Sequence, residues 1–219
     1  MLAGLLPSSV VAVEAFDDVP GEVPFPGEEG LVARAVASRR REFLTARRCA
    51  RQALAGLGHP ATAILAGPRR EPLWPAGVVG SITHCAGYRA AAVVRRTDLA
   101  GVGIDAEPNS RLPEGVAEQV AFAEEREHLA GLTAAHPVTH WDRLLFSAKE
   151  SVYKAWYPLT GRWLGFEDAR LTFDPAATLF RARILIDGRR TDGGTPLTEL
   201  VGRFRVERGL LLTAVHVNL

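Results

Sequence analysis

The stretch Gly101-Val-Gly-Ile-Asp105-Ala-Glu107-Pro-Asn-Ser-Arg-Leu-Pro-Glu-Gly115 decides the fold, because it reads as the seam between two units. In its first half Val102, Ile104 and Ala106 share one side of a strand, and Asp105 and Glu107 share the other. Pro108 and Pro113 then break the pattern. Upstream, β-like segments at Gly77–His84 and Arg89–Val94 are separated by Cys85-Ala86-Gly87 and followed by the turn Arg95-Arg96-Thr97-Asp98. Before them, apolar positions such as Val32, Phe43, Ala50 and Leu54 recur at helical spacing from about Glu28 to Leu57, where Gly56 and Gly58 stop the run. Downstream, helical patterns cover about Val116–Leu132 and Trp141–Trp156, the second with a stripe of Trp141, Leu144, Leu145, Ala148 and Val152 that Pro158 is expected to end. Strands follow at Ala169–Asp174, Phe180–Ile186, Gly202–Glu207 and Leu210–Val217. Helix followed by a small antiparallel set, twice over, predicts an α+β chain of two similar lobes, 1–107 and 108–219, with a cleft at their joint.

The 219 residues give room for one large domain or two small ones. Hydrophobic residues make up 47% and charged residues 23%, which excludes a disordered or collagen-like chain. A formal net charge of +1 argues against nucleic-acid binding through bulk electrostatics. No stretch approaches the ~18 apolar residues of a membrane span. Met1 to Val13 lacks a positive n-region and runs into Glu14, Asp17 and Asp18, unlike a signal peptide. Cys49 and Cys85 form no CxxC pair, so zinc is poorly supported and a cytoplasmic location is expected.

Of the 26 basic residues only Lys149 and Lys154 are lysine, and they bracket Glu150. Unless that is coincidence, it marks a place that needs compact point charges rather than planar forks. Asp105 and Glu107, projecting together from a strand end, suit a hard cation such as Mg²⁺ or Mn²⁺, the alternative being a solvated turn. On the helix, Glu150 and Lys154 share a face at i, i+4, and Lys149 projects about 100° away. Glu150 would add a third carboxylate, the alternative being a surface ion pair worth under ~0.5 kcal/mol. Arg39 and Arg47 flank Phe43 by four residues on either side, and Arg51 continues the row, as an anion site or a solvated basic face. The G-x-G-x-x-A match at Gly101–Ala106 is not a dinucleotide fingerprint, because its glycines lie within the strand and Pro108 prevents the helix it should open.

Val102-Gly-Ile-Asp105-Ala-Glu107 and, 45 residues on from Asp105, Phe146-Ser-Ala-Lys149-Glu150-Ser-Val-Tyr-Lys154-Ala resemble the paired signature of 4′-phosphopantetheinyl transferases. Trp74-Pro75, Gly80-Ser81-Ile82-Thr83-His84 and Arg162-Trp-Leu-Gly-Phe-Glu-Asp168 resemble further motifs of the larger Sfp/EntD-type branch. The resemblance implies a monomer of two α+β lobes related by a pseudo-two-fold, with coenzyme A in the cleft. It implies transfer of the phosphopantetheine arm to a serine of an apo acyl or peptidyl carrier protein, releasing 3′,5′-adenosine bisphosphate. The nucleophile then belongs to the partner.

By the same resemblance Asp105, Glu107 and Glu150 hold Mg²⁺ or Mn²⁺, and Glu150 is the general base. Lys149 stabilises the departing phosphate oxygen and Lys154 contacts the phosphates. Arg39, Arg47, Arg69, Thr83 and His84 are expected on the coenzyme A side. Two other readings stay open: a non-catalytic nucleotide-binding relative, and a metal-dependent phosphohydrolase or nuclease, which would need more acidic or histidine ligands.

Overall fold

In the computed structural model, which describes residues 1–219, the chain runs β1 (Val11–Ala15), α1 (Glu29–Val32), α2 (Ala37–Gly56), β2 (Val78–Cys85), β3 (Tyr88–Arg95), β4 (Gly101–Pro108), α3 (Val116–Val120), α4 (Ala123–Ala135), α5 (Trp141–Thr160), β5 (Ala169–Asp174), β6 (Leu179–Ile184), β7 (Glu199–Glu207) and β8 (Leu210–Val217). The strands form two sheets, ordered β1-β3-β2 and β4-β8-β7-β6-β5, with every pairing antiparallel.

Alternation along three strands sets the layering. Ala91 and Val93 of β3 pack beneath α2, against Cys49, Ala50, Ala53 and Leu54. The alternate residues Ala90, Ala92 and Val94 join Val102, Ile104 and Ala106 of β4 and Leu210, Leu212 and Ala214 of β8 in a second core between the sheets. Leu211 and Val215 of β8 face the other way, into the largest core, under the apolar stripe of α5. The order is therefore α2, sheet, sheet, α5, with each helix 20 residues long. β3 is buried on both faces, which is why it reads as a continuous apolar run rather than an alternating one.

The structure departs from the sequence reading in four places. The helix expected over Glu28–Leu57 breaks between Val32 and Ala37, and the one over Val116–Leu132 breaks at Ala121–Phe122, where the Phe122 amide donates to Glu125 Oε2 at 3.0 Å as α4 begins. α5 runs two residues past Pro158 and ends at Gly161, which takes φ 66° and donates its N–H to Tyr157 at 2.8 Å. In the last turn a proline forfeits a single backbone hydrogen bond, and burial of Leu159 favours continuing. Finally, β4, read from sequence as the end of the first lobe, pairs along its whole length with β8, from Gly101↔Val217 to Pro108↔Leu210. Its partner lies about a hundred residues later in the chain, so nothing local announces the pairing. No helix is long and apolar enough to cross a membrane.

Candidate active site

The two sheets meet at β2 and β4, and hydroxyls rather than a backbone ladder join them. The Ile104 amide donates to Ser81 Oγ at 3.1 Å, and the Ala106 amide donates to Thr83 Oγ1 at 3.0 Å. Thr83 Oγ1 then donates to Asp105 Oδ1 at 3.2 Å. From the other side α5 approaches so closely that a β-carbon on Gly103 would lie 1.9 Å from the Ser151 carbonyl oxygen. This approach lets Lys154 Nζ reach Asp105 Oδ1 at 2.6 Å and the Ile104 carbonyl at 3.1 Å. Asp105 is 5% exposed, and its second oxygen, Oδ2, is buried without a partner.

Glu107, two residues on, accepts from Arg143 Nη1 at 2.9 Å. Burial and the neighbouring Asp105 push its carboxyl above the usual range, against the pull of Arg143. Glu150 is raised too, by burial first and then by Asp105 and Glu107, with Lys154 opposing. Asp105 thus raises both Glu107 and Glu150, and Glu107 raises Glu150 as well. No three His, Cys, Asp or Glu side chains stand as a closed metal cage, however, since Lys154 and Arg143 hold Asp105 and Glu107. The fit to a cation lies in the hard oxygen donors, their mutual repulsion and the orphaned Asp105 Oδ2.

Beside this cluster opens a cleft of about 1490 Å³, bounded by α2, β2 and the segment before it, and α5. That exceeds the ~300–1,000 Å³ of an ordinary small-molecule pocket and suits a long ligand. Arg39, Arg47, Arg69, His84, Glu150 and Lys154 all line it. Among the lining residues seven are basic and two acidic, a concentration of positive charge within a nearly neutral chain that favours a polyanion. Arg47 is almost buried, donates from Nε to the Ile64 carbonyl at 3.0 Å and stacks over Phe43. Burial, with the charges of Arg51 and Arg39 partly offset by Glu28, pulls its pKa down to about 10.

The family model described as 4′-phosphopantetheinyl transferase N-terminal domain matches residues 27–94, and the 4′-phosphopantetheinyl transferase superfamily model matches 101–192. The chain is 52% identical over 223 residues to the 4′-phosphopantetheinyl transferase PptT of Mycobacterium tuberculosis, covering 98% of this chain and 97% of that protein. It belongs to the 4′-phosphopantetheinyl transferases. It is also 54% identical to Svp of Streptomyces mobaraensis, over 99% of this chain and 89% of that protein. With Npt of Nocardia iowensis the identity is 48%, over 98% and 99% of the two chains.

Within this transferase Asp105 and Glu107 stand beside the cleft rather than in its lining, and Lys149 and Thr83 are turned to other partners. Lys149 lies on the far side of α5, 4% exposed, with Nζ donating to Val120, Glu125 and Phe166. The 100° offset from Glu150 that was legible in the sequence turns it away from β4. Thr83 is 3% exposed and spends its hydroxyl on the β2–β4 seam, accepting from the Ala106 amide and donating to Asp105. Two residues the sequence reading passed over are Arg143, which holds Glu107, and Glu42, whose Oε2 lies 3.4 Å from both Arg39 Nη1 and His84 Nδ1. Arg143 had a signal: Arg143, Glu150 and Lys154 fall at spacings of seven and four, one stripe of a helix.

Arg39 Nη1 also donates to the His84 ring. Burial, then the Arg39 and Lys154 charges, pulls the His84 pKa down to about 4, so the ring is neutral at pH 7 and accepts from Arg39. Because the folded pKa is depressed below the ordinary 6.5, the stability this group contributes is full above pH 6.5 and is lost as pH falls toward about 4. An NMR titration of the ligand-free transferase is expected to show a His84 midpoint near 4 rather than 6.5. A midpoint at the ordinary value would contradict this account of the Arg39–His84 contact.

Proposed function

We propose that the cleft binds coenzyme A and that the transferase moves its 4′-phosphopantetheine arm to a serine of an apo carrier protein, releasing 3′,5′-adenosine bisphosphate. The observation that carries this reading is the buried Asp105 with an unpartnered oxygen beside Lys154 and Glu150, at the edge of a cleft crowded with arginine. Arg39, Arg47 and Arg69 with His84 would receive the phosphates and adenine side. Asp105, Glu107 and Glu150 would hold Mg²⁺ or Mn²⁺, which when bound neutralises charge on the pyrophosphate.

In the reaction the carrier serine oxygen bonds to the phosphorus bearing the pantetheine arm. The bond to the bridging oxygen breaks, and the electron pair leaves on the adenosine bisphosphate. Glu150 takes the serine proton, directly or through water. Its raised pKa supports that role, because a carboxylate destabilised by burial and by two neighbouring acids is a better proton acceptor. Lys154 supplies a compact charge to the phosphates, and Arg143 keeps Glu107 turned inward.

Chromatography of reactions containing coenzyme A, Mg²⁺ and an apo carrier domain tests this. One adenosine bisphosphate is expected per carrier modified. Cleavage of coenzyme A without a carrier would favour a hydrolase instead.

A further inference from the structure

A buried ion pair stands apart from the groups that line the cleft. Lys149 and Glu125 are only 3% and 2% exposed at their side chains and meet at 2.9 Å. Lys149 Nζ also donates to the Val120 and Phe166 carbonyls, each at 2.8 Å. Glu125 accepts from the Phe122 amide at 3.0 Å and from the Leu171 amide at 2.9 Å. One ammonium therefore ties α5 to the α3–α4 junction, to the turn at Phe166–Asp168 and, through Glu125, to β5. Well-packed apolar side chains in place of such a pair are commonly as stable or more so, which points to a role other than stability.

That role follows from what the tethered turn carries. Trp163, three residues before Phe166, lies with its ring 5.0 Å from that of Tyr153, a residue of the cleft wall. The Arg69 guanidinium sits over the same indole at 5.8 Å, from the other lobe. Trp163 is 60% exposed, so burial does not hold it there. The chain on either side holds it: the Arg162 carbonyl accepts from Trp156 Nε1 at 3.0 Å, Leu164 is buried, and further on the Phe166 carbonyl accepts from Lys149.

We propose that Lys149 is a positioning residue for phosphopantetheinyl transfer, fixing the Arg162–Asp168 segment so that Trp163 stays against Tyr153 at the cleft wall. The proposal rests on the coenzyme A reading of that cleft. Its test is steady-state transfer at varied coenzyme A, with melting curves, for wild type, Lys149→Met, the double variant Lys149→Met/Glu125→Gln, and Trp163→Ala. Lys149→Met strands the Glu125 charge and melts lower. Glu125→Gln removes that charge and keeps an amide oxygen for Leu171 while giving up the acceptor for Phe122, so the double variant recovers part of the lost melting temperature.

In the double variant the KM for coenzyme A is expected to rise about tenfold, with kcat within about threefold of wild type. Trp163→Ala, at an exposed position, is expected to reproduce the KM rise without the melting loss. A kcat loss of about 100-fold at unchanged KM would put the Lys149 charge on the reacting phosphate, overturning the proposal. Unchanged constants in the double variant, or in Trp163→Ala, would overturn it as well. An inactive wild type would instead overturn the coenzyme A reading, so the two failures are distinguishable.

Discussion

Asp105→Asn is expected to lower kcat/KM for transfer by about 10³-fold or more while leaving the melting temperature nearly unchanged. Asparagine keeps the shape of the side chain and an oxygen for the Thr83 hydroxyl, so the β2–β4 seam survives. It loses the charge that holds Lys154 at 2.6 Å and the oxygen, Oδ2, left free for a cation. It also removes a repulsion felt by Glu107 and Glu150, whose carboxyl pKa values Asp105 helps to raise. The lost Lys154 pair and the relieved repulsion oppose each other in stability, whereas both effects lower activity, since Glu150 becomes a weaker base. Kinetics and a thermal melt on the same preparation check this. Activity within about tenfold of wild type would remove Asp105 from the centre of the site.

Gly103→Ala is expected to cost about 3 kcal/mol or more, and thereby lower the melting temperature by about 10 °C. The added methyl would meet the Ser151 carbonyl at 1.9 Å and the Ala155 amide nitrogen at 2.8 Å, both backbone atoms of α5 that cannot rotate aside. The helix must move off β4, drawing Glu150 and Lys154 away from Asp105, so transfer should fall further than folding alone explains. Gly101→Ala is the control: its β-carbon meets the tip of Leu159 at 3.2 Å, a side chain that can yield, and a smaller loss is expected. Equal melting temperatures for the two variants would contradict the close-approach account.

The same two glycines show what the sequence could and could not reveal. Their position inside a strand was legible, and it ruled out a dinucleotide loop. That they mark contact with a helix fifty residues downstream was not, because close approach leaves no local pattern. The side of β4 that carries Asp105 and Glu107 followed from period-two alternation, and the placement of Glu150 and Lys154 on one face of the helix followed from helical geometry. Both are properties of a few consecutive residues.

Lys149 was assigned to the phosphates by resemblance, although its offset around the helix already pointed elsewhere. Its actual partner, Glu125, lies 24 residues away in a segment whose amphipathic signal is weak. Thr83 was likewise placed beside the ligand by its motif, while its hydroxyl is taken by a strand that pairs with the other sheet. The two-lobe plan was readable because each helix and strand advertises its own period. The membership of β4 depended on β8, at the far end of the chain.

The intact mass of an apo carrier domain, incubated with the transferase and coenzyme A, tests the central claim most directly. With Mg²⁺ present the carrier mass is expected to rise by one phosphopantetheine arm, and with chelator in place of metal it is expected to stay at the apo value. An unchanged mass with Mg²⁺, or an equal rise in chelator, would contradict the assignment of Asp105, Glu107 and Glu150 as a metal-assisted phosphopantetheinyl-transfer site.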